Sequence, residues 1–214
     1  MGRTPAFCGV ILAAGESSRM GREKALLPWP PSAAGSATRG TFLSAAIRLL
    51  FSHVDVVLVV AGKNEDALAP IVYANGASLV VNPDPERGQF SSLRVGLQEV
   101  LNRGRDAAMV TLVDRAPVRT ETMETLEAAF ERAITHRKWA VIPEYQGKHG
   151  HPILVGRELL EAFLRAPETS NAQDVEHAHQ SEIEYVSVDD PLVAVNVDTP
   201  EQYASLPPPL SQSS

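Results

Sequence analysis

The sequence predicts an α/β fold in which a mostly parallel central sheet carries helices on both faces. Three observations predict it. Short apolar runs rich in Val and Ile alternate along the chain with amphipathic stretches. Those runs are continuously apolar, as strands covered on both faces are. The helical stretches show apolar residues at three- and four-residue steps, the spacing of one helix face.

Taken in order, FCGVIL at 7 to 12 reads as a strand, TFLSAAIRLL at 41 to 50 as a helix and VDVVLVVA at 54 to 61 as a strand. A weak helix at 64 to 73, the strand ASLVV, and a helix from about 91 to 103 follow. The run AAMVTLV at 107 to 113 is the next strand, then a helix from about 121 to 136 and the strand WAVIP at 139 to 143. In the helix of 121 to 136, Met123, Leu126, Phe130, Ala133 and Ile134 share one face that packs on a sheet. Strands joined by helices wind right-handedly, and such sheets hold ligands beyond the carboxyl ends of their strands. The loops at 13 to 24, 82 to 92, 114 to 119 and 196 to 200 are therefore where chemistry is expected. Pro, Gly, Ser and Ala fill PWPPSAAGSATRG between Leu27 and Thr41, which reads as a long surface loop with the make-up of a lid. A single domain is expected over 1 to 205, with a patternless tail, LPPPLSQSS, expected to be disordered from Leu206.

The composition supports this plan and excludes others. A chain of 214 residues with 44% hydrophobic side chains has material for a real core, so whole-chain disorder is excluded. The net charge of −7 argues against a broad basic surface for nucleic acid or anionic lipid. Cys8 is the single cysteine, so there is no internal disulfide or cysteine-built metal cage, and a reducing compartment, the cytoplasm, is expected. The apolar run FCGVILAAG is too short for a signal core or a membrane span, and Ala6 stands where myristoylation requires Ser or Thr.

LAAGESSRMGREK, residues 12 to 24, directly follows the first strand. Gly15 allows backbone N–H groups to approach an anion, Ser17 and Ser18 add hydroxyl donors, and Arg19 and Lys24 supply full charges. The loop lacks the GK[ST] of a Walker A sequence and is not the GxGxxG dinucleotide fingerprint. On composition alone it reads equally as a phosphate cradle or as an ordinary polar loop.

The string L-A-A-G-x-S-S-R-M-G-x-x-K resembles the signature of the MobA-like nucleotidyltransferases, the relatives of the molybdenum-cofactor guanylyl- and cytidylyltransferases. NPDPERGQFSSLRVGL at 82 to 97, TLVDRAP at 111 to 117, GHP at 150 to 152 and VNVDTPEQY at 195 to 203 follow in the family's order. The resemblance implies a Rossmann-like nucleotidyltransferase fold. It also implies transfer of a nucleoside monophosphate to a phosphorylated acceptor with release of pyrophosphate. Nucleotide binding would fall to Leu12, Ala13, Ala14, Gly15, Ser17, Ser18, Lys24, Ser91 and Ser92. Arg19, Lys24 and Asp114 would be catalytic, Asp114 and Asp198 would hold Mg²⁺, and His151 would lie on the acceptor side. The LAAG form resembles cytidylyltransferases more than guanylyltransferases, which implies CTP in preference to GTP, with molybdopterin as acceptor. The chemistry agrees with the residue types: an acceptor phosphate is already anionic, so positioning and charge neutralisation suffice without a Ser/His/Asp nucleophile.

Several positions carry a second reading. Asp198 precedes Thr199-Pro200-Glu201-Gln202, itself a capping box, and Ser91 precedes an amphipathic helix, where a serine is by default an N-cap. In a strand Asn196 would share a side with Asp198, but it is uncharged where relatives often carry Asp. Arg115 stands where relatives more often have Gln, Met or His, either solvated or gripping the acceptor phosphate. His177 and His179 are expected at the surface, and Cys8 in the core. ETSNAQDVEHAH at 168 to 179 replaces the family's G-D-x-G-A-R, so the donor chemistry is better marked than the pterin acceptor. Alternatives are a sugar or polyol phosphate acceptor and a non-catalytic nucleotide or cofactor binder. A glycosyltransferase is disfavoured, because Asp114-Arg115-Ala116 is not D-x-D.

Overall fold

A computed structural model describes residues 5–15, 20–21, 23–31 and 40–206. The strands are β1 (Phe7–Leu12), β2 (Val57–Ala61), β3 (Ser78–Val81), β4 (Ala107–Leu112), β5 (Ala140–Tyr145), β6 (Lys148–His149), β7 (Ile153–Gly156) and β8 (Ile183–Ser187). They form one sheet in the order β3-β2-β1-β4-β7-β5-β6, with β8 paired to β5. The pairs β1·β2, β1·β4, β2·β3 and β5·β8 are parallel, whereas β7 runs antiparallel to both β4 and β5. The helices are α1 (Phe42–Phe51), α2 (Glu65–Ala74), α3 (Gln89–Asn102), α4 (Thr120–Thr135), α5 (Arg157–Arg165), α6 (Ala172–Ala178) and α7 (Pro200–Ala204). The expected mixed α/β architecture is present. Its antiparallel insertion, β7, was not foreseen.

The central strands β1, β2 and β4 are almost wholly apolar because alternate residues feed two separate cores. Ile11, Val59 and Met109 face one side, packing with Leu43 and Ile47 of α1 and Met123, Leu126 and Phe130 of α4. Val10, Val60 and Val110 face the other, against Leu93 and Leu97 of α3 and Leu160 and Phe163 of α5. The buried stripe of α4 follows the spacing read from the sequence, with Ile134 at its half-buried edge. Gly96 lets α3 press onto the sheet, since a Cβ there would stand 2.9 Å from Val10 and 3.0 Å from Val60. Cys8 lies in this second core, and burial pushes its thiol up to about 12.

Leu206, where the patternless tail begins, is buried against the first core, and the rest of the tail lies outside the described residues. Among the described residues no helix is long and apolar enough to cross a membrane.

Candidate active site

The loops that follow β1, β3 and β4 meet at the carboxyl edge of the sheet around a cleft of about 260 Å³. Its lining comprises Leu12, Ala14, Gly15 and Lys24 from the first loop, Pro85, Gly88, Gln89 and Ser92 around the start of α3, and Leu112, Val113 and Asp114 at the end of β4, with Asp198. Among the described residues, none comes within 4 Å of where a Cβ on Gly15 would stand. Ser17, Ser18 and Arg19, the other polar members of the cradle read from the sequence, lie outside the described residues. Ala13 is buried rather than part of the wall: its N–H donates to Val60 O at 2.8 Å.

One side chain that sequence reasoning missed holds this loop. Asn64, just after β2, donates through Nδ2 to Ala13 O at 2.9 Å and to Glu23 Oε2 at 3.1 Å. Its Oδ1 accepts from Gly62 N at 3.1 Å, which fixes the amide's orientation. The two ends of the loop are thereby joined to the neighbouring strand.

Lys24 opens a short 3-10 turn, Lys24–Leu26. Its Nζ donates to Asp198 Oδ1 at 2.6 Å and stands 3.8 Å from Asp114 Oδ2. Asp114 reaches this point because β4 ends at Leu112 and the chain turns, Arg115 N donating to Leu112 O at 3.1 Å. The segment around Val197 lies alongside: Val197 N donates to Asp114 O at 2.9 Å, and Arg115 and Asn196 form a backbone bridge. Burial raises the Asp114 carboxyl above its ordinary range, opposed by the charges of Lys24 and Arg115. Its Oδ1 is buried and, among the described residues, has no hydrogen-bond partner.

The carboxylate pair at Lys24 is therefore Asp114 with Asp198. Asn196 is exposed, and its contact with this region is through the backbone bridge to Arg115. The capping box is also real: Thr199 Oγ1 accepts from Gln202 N at 3.3 Å, while Gln202 Oε1 accepts from Asp198 N and Thr199 N. Both readings of Asp198 hold, because its backbone serves the helix while its carboxylate faces the lysine.

Ser91 is not an N-cap. The helix begins earlier, at Gln89, with Gly88 at the cap position and a φ of 86° that an L side chain rarely adopts. Ser91 Oγ instead donates within the turn to Gly88 O at 2.8 Å, and Ser91 does not line the cleft, whereas the buried Ser92 does. His151 also stands away from the cleft lining. Burial and the charge of Arg115 push its imidazole down to about 3, and its Nδ1 is buried without a partner among the described residues. His149 is 3.6 Å from Glu144 and stacks on Tyr185 at 4.1 Å. Of the two later histidines, His177 is exposed as expected, while His179 is half-buried and packs on Trp139 with ring centroids 4.7 Å apart.

Residues 9–183 match the MobA-like NTP transferase domain. The chain is 27% identical to the molybdenum cofactor cytidylyltransferase of Escherichia coli (strain K12), over 91% of this chain and 92% of that protein. A probable molybdenum cofactor guanylyltransferase of Rhodopirellula baltica is 29% identical over 61% of this chain and 59% of its own. Among solved structures, Rv0371c of Mycobacterium tuberculosis H37Rv superimposes with a TM-score of 0.75 at 25% identity, covering 94% of this chain and 96% of that one. The same mycobacterial protein in complex with manganese gives a TM-score of 0.71 at 23% identity over 92% and 96% of the two chains. The matched region takes in the loops at 13 to 24, 82 to 92 and 114 to 119, and the chain belongs to the MobA-like NTP transferase domain family of nucleotidyltransferases.

Proposed function

We propose that this protein transfers CMP from CTP to molybdopterin cofactor, releasing pyrophosphate, in the cleft at the carboxyl edge of β1 and β4. The observation that carries the reading is the convergence of Lys24, Asp114 and Asp198 with Gly15 in the lining of one cleft. This combination of ammonium, backbone amides and carboxylates is what a metal-bound triphosphate requires.

In the reaction an oxygen of the acceptor's phosphate attacks the α-phosphorus of CTP, and the bond from that phosphorus to the bridging oxygen breaks as pyrophosphate leaves. Lys24, with Arg19 and the N–H groups around Gly15, holds the β- and γ-phosphates and neutralises the charge that grows on the leaving group. Leu12, Ala14 and Ser92 line the cleft; in this reading Leu12 and Ala14 wall the donor and Ser92 meets its base. Ala14, the residue that distinguishes LAAG from LAGG, is part of that wall, and the cytidylyltransferase of Escherichia coli is similar over nearly the whole chain. These two facts support CTP.

The residues present fit a divalent cation. Asp114 and Asp198 lie around one lysine, and the partnerless Oδ1 of Asp114 is a buried oxygen suited to a hard metal. Among the described residues no group of three or more His, Cys, Asp or Glu is gathered anywhere, so a metal here would rest on these two carboxylates. Two carboxylates suit Mg²⁺, whose other ligands are water and phosphate oxygens. When bound, the ion would polarise the phosphoryl oxygens and offset their charge. The manganese complex of the mycobacterial relative supports a metal of this type. On the acceptor side, Arg115 would meet the acceptor's phosphate, with the neutral imidazole of His151 near enough to feel the arginine's charge.

The test is pyrophosphate release by purified protein given Mg²⁺, molybdopterin cofactor and either CTP or GTP, alongside a panel of phosphosugars. Release with CTP and the pterin is expected. Release with a phosphosugar alone would sink the acceptor, release with GTP alone would sink the base, and none with any pair would sink the reaction.

A further inference from the structure

Asn82 follows β3 and is buried, and its side-chain hydrogen bonds run in one direction. Asp84 N–H can only donate, and it donates to Asn82 Oδ1 at 3.0 Å. That bond turns Nδ2 toward α3, where it donates to Ser91 Oγ at 2.8 Å and Ser92 Oγ at 2.9 Å. The orientation of the amide is thus fixed by a backbone donor, not by choice of rotamer. Each serine oxygen accepts from Asn82, so each hydroxyl hydrogen must point elsewhere. Ser91 sends its hydrogen to Gly88 O, at 2.8 Å, or to Asp84 O, at 3.2 Å. Ser92 is different. Among the described residues its hydroxyl meets no protein acceptor, and the residue lines the cleft beside Leu12 and Leu112.

We infer that Asn82 is a specificity-determining residue that makes Ser92 a hydrogen-bond donor into the cleft, so that the site selects nucleotides whose base presents an acceptor there. The cytosine O2 and N3 are acceptors of this kind. A free serine hydroxyl offers either a hydrogen or a lone pair to whatever arrives, and so discriminates little. With a lone pair occupied by Nδ2, Ser92 still has its hydrogen to give, and the apolar neighbours strengthen the preference by excluding competing water. This inference rests on the nucleotide-binding reading of the cleft, and it assigns to Asn82 a role exerted through Ser92.

The test measures binding of CTP and of a base-free ribose 5′-triphosphate by titration calorimetry, and reads the ratio of the two affinities. Asn82→Asp keeps the size of the side chain and the bond from Asp84 N, but its carboxylate accepts from Ser92 and reverses the hydroxyl. The ratio is expected to fall about tenfold, the worth of one lost hydrogen bond at a preorganised position. In a Ser92→Ala background the same substitution should leave the ratio unchanged, because the residue through which Asn82 acts is gone. A reduction of both affinities by one factor would be the effect of added charge or of damage to the loop, and would overturn the inference. So would an unchanged ratio. Should Asn82→Asp not fold, Ser92→Ala alone carries the test: it must itself lower the ratio, and a wild-type ratio overturns the inference. If the wild-type protein binds neither triphosphate, the reading of the cleft fails and this inference falls with it. If it binds both and Asn82→Asp makes no distinction, the inference alone falls.

Discussion

Lys24 Nζ lies 2.6 Å from Asp198 Oδ1 although 174 positions separate the two residues, and Asp114 Oδ2 is 3.8 Å from the same nitrogen. A single ammonium is placed against carboxylates from two distant parts of the chain. Deleting one carboxylate leaves the lysine paired with the other, so the cost should appear in chemistry before it appears in folding.

Asp114→Asn should therefore lower pyrophosphate release by at least about a hundredfold, the scale of a lost electrostatic group at a reacting phosphate. The melting temperature should hold to within a few degrees, because burial already raises the carboxyl and the charge gains little from its site. Steady-state assay beside a thermal melt checks both. Turnover near that of wild type would remove Asp114 from the mechanism.

Asn64 fastens both ends of the first loop through one amide nitrogen. Asn64→Asp replaces that donor with a carboxylate facing Ala13 O and Glu23. The KM for triphosphate should rise by about tenfold or more, with a smaller change in kcat, since the loss is in preorganisation. Asn64→Ala, which removes the bonds without adding repulsion, should be milder. Equal effects from the two variants would show that the orientation of the amide is irrelevant.

His151 predicts a slope in stability against pH. The unfolded imidazole takes up a proton near 6.5, whereas the folded one resists until about 3. Between those values the unfolded chain binds more protons, so stability decreases as the pH falls through this window and is unaffected above it. His151→Gln should make the acid side of the curve shallower. Urea midpoints collected across the window decide it, and an unaltered slope would contradict the buried, neutral assignment.

Cys8 is fully buried, with its thiol pushed up to about 12. Thiolate is the reactive form, so iodoacetamide at about pH 8 should leave the native protein unlabelled and modify it rapidly in denaturant. Intact-mass spectrometry reads the outcome. Prompt labelling of folded protein would mean the β1 core opens readily.

The elements β1 to β5 and α1 to α4 were legible because each combines a clear period with adequate length. The later ones were not. β6 has two residues, β7 has four and runs straight into α5, and β8 carries Glu184 in a half-buried pattern. A short reversed strand like β7 has no signature in a single sequence, because direction is set by tertiary pairing rather than by periodicity. The site divides in the same way. Gly15, Lys24, Asp114 and Asp198 belong to linear motifs and were visible. Asn64 acts as a lone amide on partners 41 and 51 positions away, and nothing local marks it, whereas Asn82 opens a visible motif but its bonds to Ser91 and Ser92 appear only in the fold. The cap assigned to Ser91 failed because Gly88 permits the helix to begin without a side-chain cap.

Tyr203 donates from its hydroxyl to Pro28 O at 2.7 Å and packs near Phe42, whose ring lies against Trp29. The region around Tyr203 is thus clasped to one made 175 positions earlier. As the polypeptide leaves the ribosome, β1 to β4 are able to assemble long before residues 196 to 206 emerge. During that interval Lys24 and Asp114 are present without Asp198, so a nascent chain can pair its first four strands well before it holds both carboxylates that flank the lysine.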